Sequence, residues 1–203
     1  MTNEHKQPRS REGEKFIPES KDGPYQFDLD SSGEKVVSLP NGEVIVRTSL
    51  DELIDAMASL VFAEASLCVS RFGEFQLALS NSPLLEPLYE RLMYDPIVRG
   101  IPWQNTFLWC VDPYEMSSNI VKETIVDHAD IPDEQIHDHL PEKSEGKKPP
   151  RIDCLIVDSE ASIPEDCQTR FIIIVSKSVE ACEMLAKTCH QTTVRGFVLQ
   201  ENR

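Results

Sequence analysis

The chain has 203 residues, 40% of them hydrophobic, which is enough for one α/β domain with its own core. Its 20 Lys+Arg stand against 35 Asp+Glu, a formal net charge of -15. Such a field repels nucleic acid and anionic lipid, so neither nucleic acid nor membrane is expected as a partner. It also opposes a phosphorylated ligand unless local cations compensate.

Residues 1–24 lack an apolar core and read as a disordered polar tail, not a signal peptide. Residues 25–203 read as a single domain. No window is expected to reach the length of a transmembrane helix. The six cysteines (Cys68, Cys110, Cys154, Cys167, Cys182 and Cys189) form no CxxC pair and mostly sit in apolar runs. Free buried thiols in a reducing cytoplasm are the expectation.

In chain order, 36–39 and 43–47 flank Pro40-Asn41-Gly42, a hairpin signal. Ser49 and Glu52 form a capping box, and apolar residues from Leu50 to Cys68 keep helical spacing until Gly73. Residues 75–79 (FQLAL) predict a buried strand, and a helix follows over 87–94. Gly100-Ile101-Pro102 breaks the chain before a second strand at 106–111 (TFLWCV). Residues 117–129 predict a helix, and 141–150 a flexible polar loop. Strands are predicted at 153–157 and 171–175, a helix at 178–189, and an edge strand at 194–199.

Continuous apolar strands alternating with amphipathic helices predict a Rossmann-like three-layer α/β fold. Its sheet is mostly parallel and covered by helices on both faces. Ligands in such sheets bind outside the carboxyl ends of the strands. The segments that matter are then Ser80–Glu86, Asp112–Asn119, Asp158–Ser162 and Ser176–Ser178.

Ser80, Asn81 and Ser82 stand between strand and helix, where backbone N–H groups favour an anion. Without a glycine the backbone cannot wrap closely round a phosphate. Ser82 is equally an N-cap with Pro83 in the first turn, or else the helix starts later, at Pro87. Asp112 closes a strand, where an acid holds a sugar hydroxyl or simply forms an Asp-Pro turn. Asn119 caps the next helix. His137 and His139 form an HxH, but in a polar, acidic stretch that reads as a solvated loop, and no ligand spacing for a metal is complete. No Walker loop, dinucleotide fingerprint or Gly-x-Ser-x-Gly occurs, and no cofactor is expected.

The order of these pieces resembles the 6-phosphogluconolactonase family, relatives of glucosamine-6-phosphate isomerase/deaminase, from about Val44 to Lys187. The family's Ser-Gly-Gly-Ser-Thr-Pro-x-Pro-Leu-Tyr is similar to Ser80-Asn81-Ser82-Pro83-Leu84-Leu85-Glu86-Pro87-Leu88-Tyr89. Ile101-Pro102-Trp103, the strand ending at Asp112-Pro113-Tyr114, Ser118-Asn119, and Ile131-Pro132 through His137 follow the family order. So do Phe171–Ser176 and Val179-Glu180-Ala181. The resemblance implies a sugar phosphate as ligand, with Ser80, Asn81, Ser82, Asp112 and Asn119 as binding positions.

The departures fall where the resemblance puts the chemistry. Asn81 and Ser82 replace the loop glycines, and Tyr114 replaces an arginine. The family's Gly-x-Gly-x-Asp-Gly-His, source of the general base, is replaced by Asp158-Ser159-Glu160-Ala161-Ser162-Ile163-Pro164. Lys177 stands at a glycine, and Glu180 near a lysine. A shortened and divergent member with impaired catalysis is the expectation, because losing a positioned base typically costs about 10²–10⁴-fold. Two alternatives stay open. One is an active lactonase or isomerase whose base is relocated to Asp112, Asp158, Glu160 or His137. The other is a non-enzymatic domain that engages a protein partner.

Overall fold

The computed structural model describes residues 35–111, 119–141, 151–164, 167–189 and 192–200. The expected tail at 1–24, the loop beyond residue 141 up to 150, and Asp112 lie outside them.

The hairpin forms as its turn signal requires. Strand β1 (Lys35–Leu39) pairs antiparallel with β2 (Gly42–Arg47). Helix α1 (Leu50–Phe72) then runs across the sheet. Its start is fixed by Ser49, whose side chain accepts from the Glu52 N–H, and Asp51 and Glu52 meet the positive end of its dipole. Its end is fixed by Gly73 at φ 83, a left-handed conformation that glycine adopts without strain. Contrary to the expectation above, α1 is long and apolar enough to cross a membrane by length and composition. Its spacing turns Leu53, Ile54, Met57, Val61, Ala65 and Cys68 into the protein, so it serves as a core helix.

Strand β3 (Phe75–Leu79), helix α2 (Glu86–Tyr94) and strand β4 (Thr106–Cys110) follow as the apolar runs predict. The start of the helix expected over 117–129 lies outside the described residues; within them the helical stretch ends at Val126, with a π-helical turn at Lys122–Val126. The HxH stretch is not wholly a solvated loop, because Ile136–His137 forms the short strand β5 alongside β4. Strand β6 (Ile152–Asp158), strand β7 (Thr169–Ser176), helix α3 (Val179–Thr188) and strand β8 (Thr193–Leu199) complete the chain.

The eight strands lie in the order β1-β2-β8-β7-β6-β3-β4-β5, and every pairing except β1–β2 is parallel. The three-layer α/β reading holds. One element is displaced: β8, expected at an edge, lies between β2 and β7. Its Gly196 explains how α3 packs so closely there, since a Cβ at that position would come within 2.9 Å of Val44 and 3.2 Å of the Cys182 sulfur. On that face Val44, Val46, Leu155, Val157, Ile172 and Ile174 meet Cys182 and Ala186 of α3. The alternate residues of the same strands, including Ile45, Cys154, Ile156 and Ile173, are buried on the opposite face.

Chain direction reverses within this sheet. From β3 the chain moves outward to β4 and β5; from β6 it moves the other way, to β7 and β8. The topological switch point is therefore the β3–β6 boundary, where diverging loops open a crevice at the carboxyl ends.

Candidate functional site at the strand carboxyl ends

The loop after β3 enters the switch point, and it is braced from both sides. The Ser80 N–H donates to the Ile156 carbonyl of β6 at 3.0 Å, and the Ser80 carbonyl accepts from the Tyr89 hydroxyl at 2.7 Å. Both residues are buried, Tyr89 completely. Ser82 is a turn residue, not the helix cap. Its hydroxyl accepts from the Leu84 N–H at 3.3 Å and its carbonyl from the Leu85 N–H at 2.9 Å. Helix α2 begins at Glu86 with Pro87 in the first turn, the later of the two predicted starts.

Asn81 reaches across to the segment after β4. Its Oδ1 accepts from the Ile120 N–H at 2.7 Å, and Asn119 caps the same turn by accepting from the Lys122 N–H at 3.0 Å. Asn119 thus holds the capping role predicted for it, and the fold brings it beside Asn81. Asp112 lies outside the described residues. Just before it, the Val111 N–H donates to the Leu79 carbonyl at 2.9 Å, which carries the β3–β4 ladder to the edge of the crevice.

Across the switch point, Asp158 ends β6 half-exposed, and its Oδ1 accepts from the Glu160 N–H at 2.8 Å. That local turn leads the connection away from the sheet. The next residue, Ser159, is tied to β7: its N–H donates to the Val175 carbonyl at 3.0 Å, and its hydroxyl lies 2.8 Å from that of Ser176. Ser176 Oγ also accepts from the Ser178 N–H at 3.2 Å, while Ser178 caps α3 by accepting from the Ala181 N–H at 3.2 Å. Ser80, Asn81, Ser82, Asn119 and Asp158 are therefore brought to one end of the sheet, with Ser159 and Ser176 alongside.

His137 belongs elsewhere. It lies on edge strand β5, two strands beyond β3, and its ring stacks on Trp109 with centroids 3.9 Å apart. Burial and the neighbouring His139 pull its pKa below the usual histidine value, while Asp138 pulls the other way. Among the described residues of the connections after β3, β6 and β7 there is no histidine; the connection after β4 carries His128, exposed and beside Tyr94 with ring centroids 5.9 Å apart.

Two cations reach this end of the sheet from places the strand-end reading does not single out as binding groups. Arg47 closes β2, is 6% exposed, and lies 3.8 Å from Glu52. Lys177 follows β7 directly and is exposed. The signal for Arg47 is a charged residue directly after the apolar run Val44-Ile45-Val46 at the end of a strand. By contrast Arg91, one of two cations between Ser80 and Asn119, is engaged far from the loop with Asp51, Asp55 and Asp95.

No family model matches the chain. A stretch of 100 residues is 33% identical to the GDH/6PGL endoplasmic bifunctional protein of Homo sapiens, covering 46% of this chain and 12% of that protein. The protein of the same name from Oryctolagus cuniculus is 33% identical over 99 residues, again 12% of its length. The chain thus matches about an eighth of these relatives. Among solved structures, the 6-phosphogluconolactonase of Trypanosoma cruzi superposes with a TM-score of 0.57 at 12% identity, covering 78% of this chain and 94% of that one. That of Trypanosoma brucei gives 0.57 at 15% identity, covering 77% and 95%. That of Shewanella baltica gives 0.54 at 13% identity, covering 76% and 96%. The fold of this chain is the fold of those proteins.

Proposed function

We propose that this chain, a divergent relative of the 6-phosphogluconolactonases, binds a sugar phosphate in the crevice at the β3–β6 switch point and is catalytically impaired as a lactonase. The observation that carries the reading is the connection after β6. It leaves the crevice through the Asp158–Glu160 turn and offers neither a histidine nor a glycine over Asp158–Pro164. A carbonyl there would meet no imidazole to activate water. A missing base alone lowers the rate by about 10²–10⁴-fold. Retention of binding is supported by the donor-rich rim of Ser80, Asn81, Ser82, Asn119, Ser159 and Ser176, and by Arg47 and Lys177 at the same end of the sheet. The six cysteines are all free, five of them buried, which suits a reducing cytoplasm.

A second reading is favoured by one residue. Asp158 is the only described relocated-base candidate that ends a strand at the switch point, and a half-exposed carboxylate can activate water. Asp158→Asn separates the two readings. In purified protein, 6-phosphogluconate is expected to raise the melting temperature, while lactone hydrolysis stays at least about 100-fold below that of an active lactonase. Ordinary hydrolysis that Asp158→Asn abolishes would establish the second reading. No thermal shift at saturating ligand would instead favour a domain that engages a protein partner.

A further inference from the structure

A separate cavity lies at the opposite end of the sheet from the crevice. It has a volume of about 410 Å³ and sits between the β1–β2 turn and the last turns of α3. Leu39, Pro40 and Ala186 give it an apolar wall, and Ser38, Asn41, Glu183 and Lys187 supply its polar groups. A concave apolar site of this size with a few converging polar groups has the form of a small-molecule site.

The wall is pre-organised. Asn41 Nδ2 donates to the carbonyls of Ala186, Cys189 and Thr192 at 3.3, 3.0 and 3.2 Å, and the Asn41 carbonyl accepts from the Val194 N–H at 2.9 Å. These bonds fix the hairpin turn to the end of α3. They use the amide hydrogens and leave Oδ1 as an acceptor to which no described residue donates. Glu183 and Lys187 stand one turn apart on α3, and neither is ion-paired with a described residue. The cavity therefore presents a carboxylate, an ammonium, a carbonyl oxygen and the Ser38 hydroxyl beside an apolar wall. The negative end of the α3 dipole adds to its affinity for a cationic group.

We propose that this cavity binds a small zwitterion with an apolar body, the chemistry of an aliphatic α-amino acid. The ligand carboxylate meets Lys187, its ammonium meets Glu183 and Asn41 Oδ1, and its side chain lies on Leu39, Pro40 and Ala186. A simple anion or cation would be opposed by one of the two α3 charges, whereas a zwitterion satisfies both.

L-Leucine titrated into the full chain, followed by amide chemical shifts, tests this. The expected result is saturable binding with a Kd on the order of 1 mM and shifts confined to the Asn41 side-chain amide, Leu39 and the 183–187 turn. Lys187→Glu and Glu183→Lys each weaken binding by about fivefold or more. The double variant E183K/K187E recovers much of the loss, because a zwitterion reverses. Both positions are at least partly exposed, so melting curves are expected to stay unchanged. Absence of saturable binding, shifts elsewhere in the molecule, or equal affinity in the single variants would overturn the proposal.

Discussion

The two ends of the sheet are built from different chemistry. At the amino ends, charge is buried. Asp153 of β6, wholly inaccessible, accepts from the Gln76 N–H of β3 at 3.0 Å and from Arg151 Nε at 2.6 Å. Arg170 of β7 places its Nε 3.8 Å from the same carboxylate and also binds Glu64 of α1 and the Cys68 sulfur. At the carboxyl ends the described groups are chiefly hydroxyls and amide side chains on loops and strand ends: Ser80, Asn81, Ser82, Ser159, Ser176 and Asn119. The amino-end groups are tied together by charge-assisted bonds and ion pairs shared among Glu64, Arg151, Asp153 and Arg170. The carboxyl-end groups make neutral bonds worth about 1 kcal/mol each, which a ligand can replace. The same polar character thus serves cohesion at one end and recognition at the other.

The sharpest way to break this contrast is Asp153→Ala. It leaves the buried Gln76 N–H without its acceptor and takes from Arg151 its carboxylate partner, while Arg170 keeps only the Glu64 carboxylate. The expected loss is about 2–3 kcal/mol, mostly from the unsatisfied buried N–H and the lost charge-assisted bonds, read as a lowered midpoint in urea unfolding. A loss below about 1 kcal/mol would mean that the amino end is no more committed than a surface pair. Replacing Glu64 and Arg170 together, as E64L/R170M, is expected to be far milder than Arg170→Ala alone, because no unpaired charge remains.

That amino-end cluster also marks where the sequence stopped being legible. The hairpin, the Ser49 cap, the Gly73 stop and the buried strands were readable, because each depends on a few adjacent residues. Asp153 read only as the first residue of an apolar strand. Its partners come from Gln76, 77 positions away, and Arg170, and local pattern carries no such information. For the same reason β8 looked like an edge strand: nothing within VRGFVL says that β2 will pair on its far side. At the candidate site, Ser80–Ser82, Asn119 and Asp158 were found from strand ends alone. The bracing hydroxyl of Tyr89 and the arrival of Arg47 required the strand order. Trp109 and His137 were separated by a loop in sequence but are stacked in space, which left the HxH stretch looking solvated.

A smaller effect is expected from Tyr89→Phe. The ring stays packed, but the buried Ser80 carbonyl loses a 2.7 Å bond. The cost is about 1–2 kcal/mol in unfolding stability. Hydrogen exchange at Asn81 and Ser82 should quicken by more than the global loss explains, since the loop loses its brace on one side. Ser176→Ala removes a hydroxyl that bonds Ser159 and the Ser178 N–H, and about 1 kcal/mol or less is expected there. If either change rivals Asp153→Ala, the carboxyl end is as rigidly committed as the amino end, and its groups are poor candidates for exchange with a ligand.

The smallest effect concerns His137, which belongs to neither end and has burial, not a buried counter-charge, as the main influence on its titration. Burial and His139 hold its native pKa below the ordinary value of 6.5, against the pull of Asp138. Above that ordinary value both folded and unfolded chains carry a neutral imidazole, and the contribution to stability is complete. As pH falls below it, the unfolded chain takes up the proton first. Stability is then lost progressively until pH passes the lowered native pKa. His137→Phe keeps an aromatic ring for Trp109 but removes the titration, so the loss of stability between pH 7 and pH 5 should be smaller in the variant than in the parent. The opposite order would mean that Asp138 governs the site through charge, and that edge strand β5 is held electrostatically, as the amino ends are, instead of by the stack on Trp109.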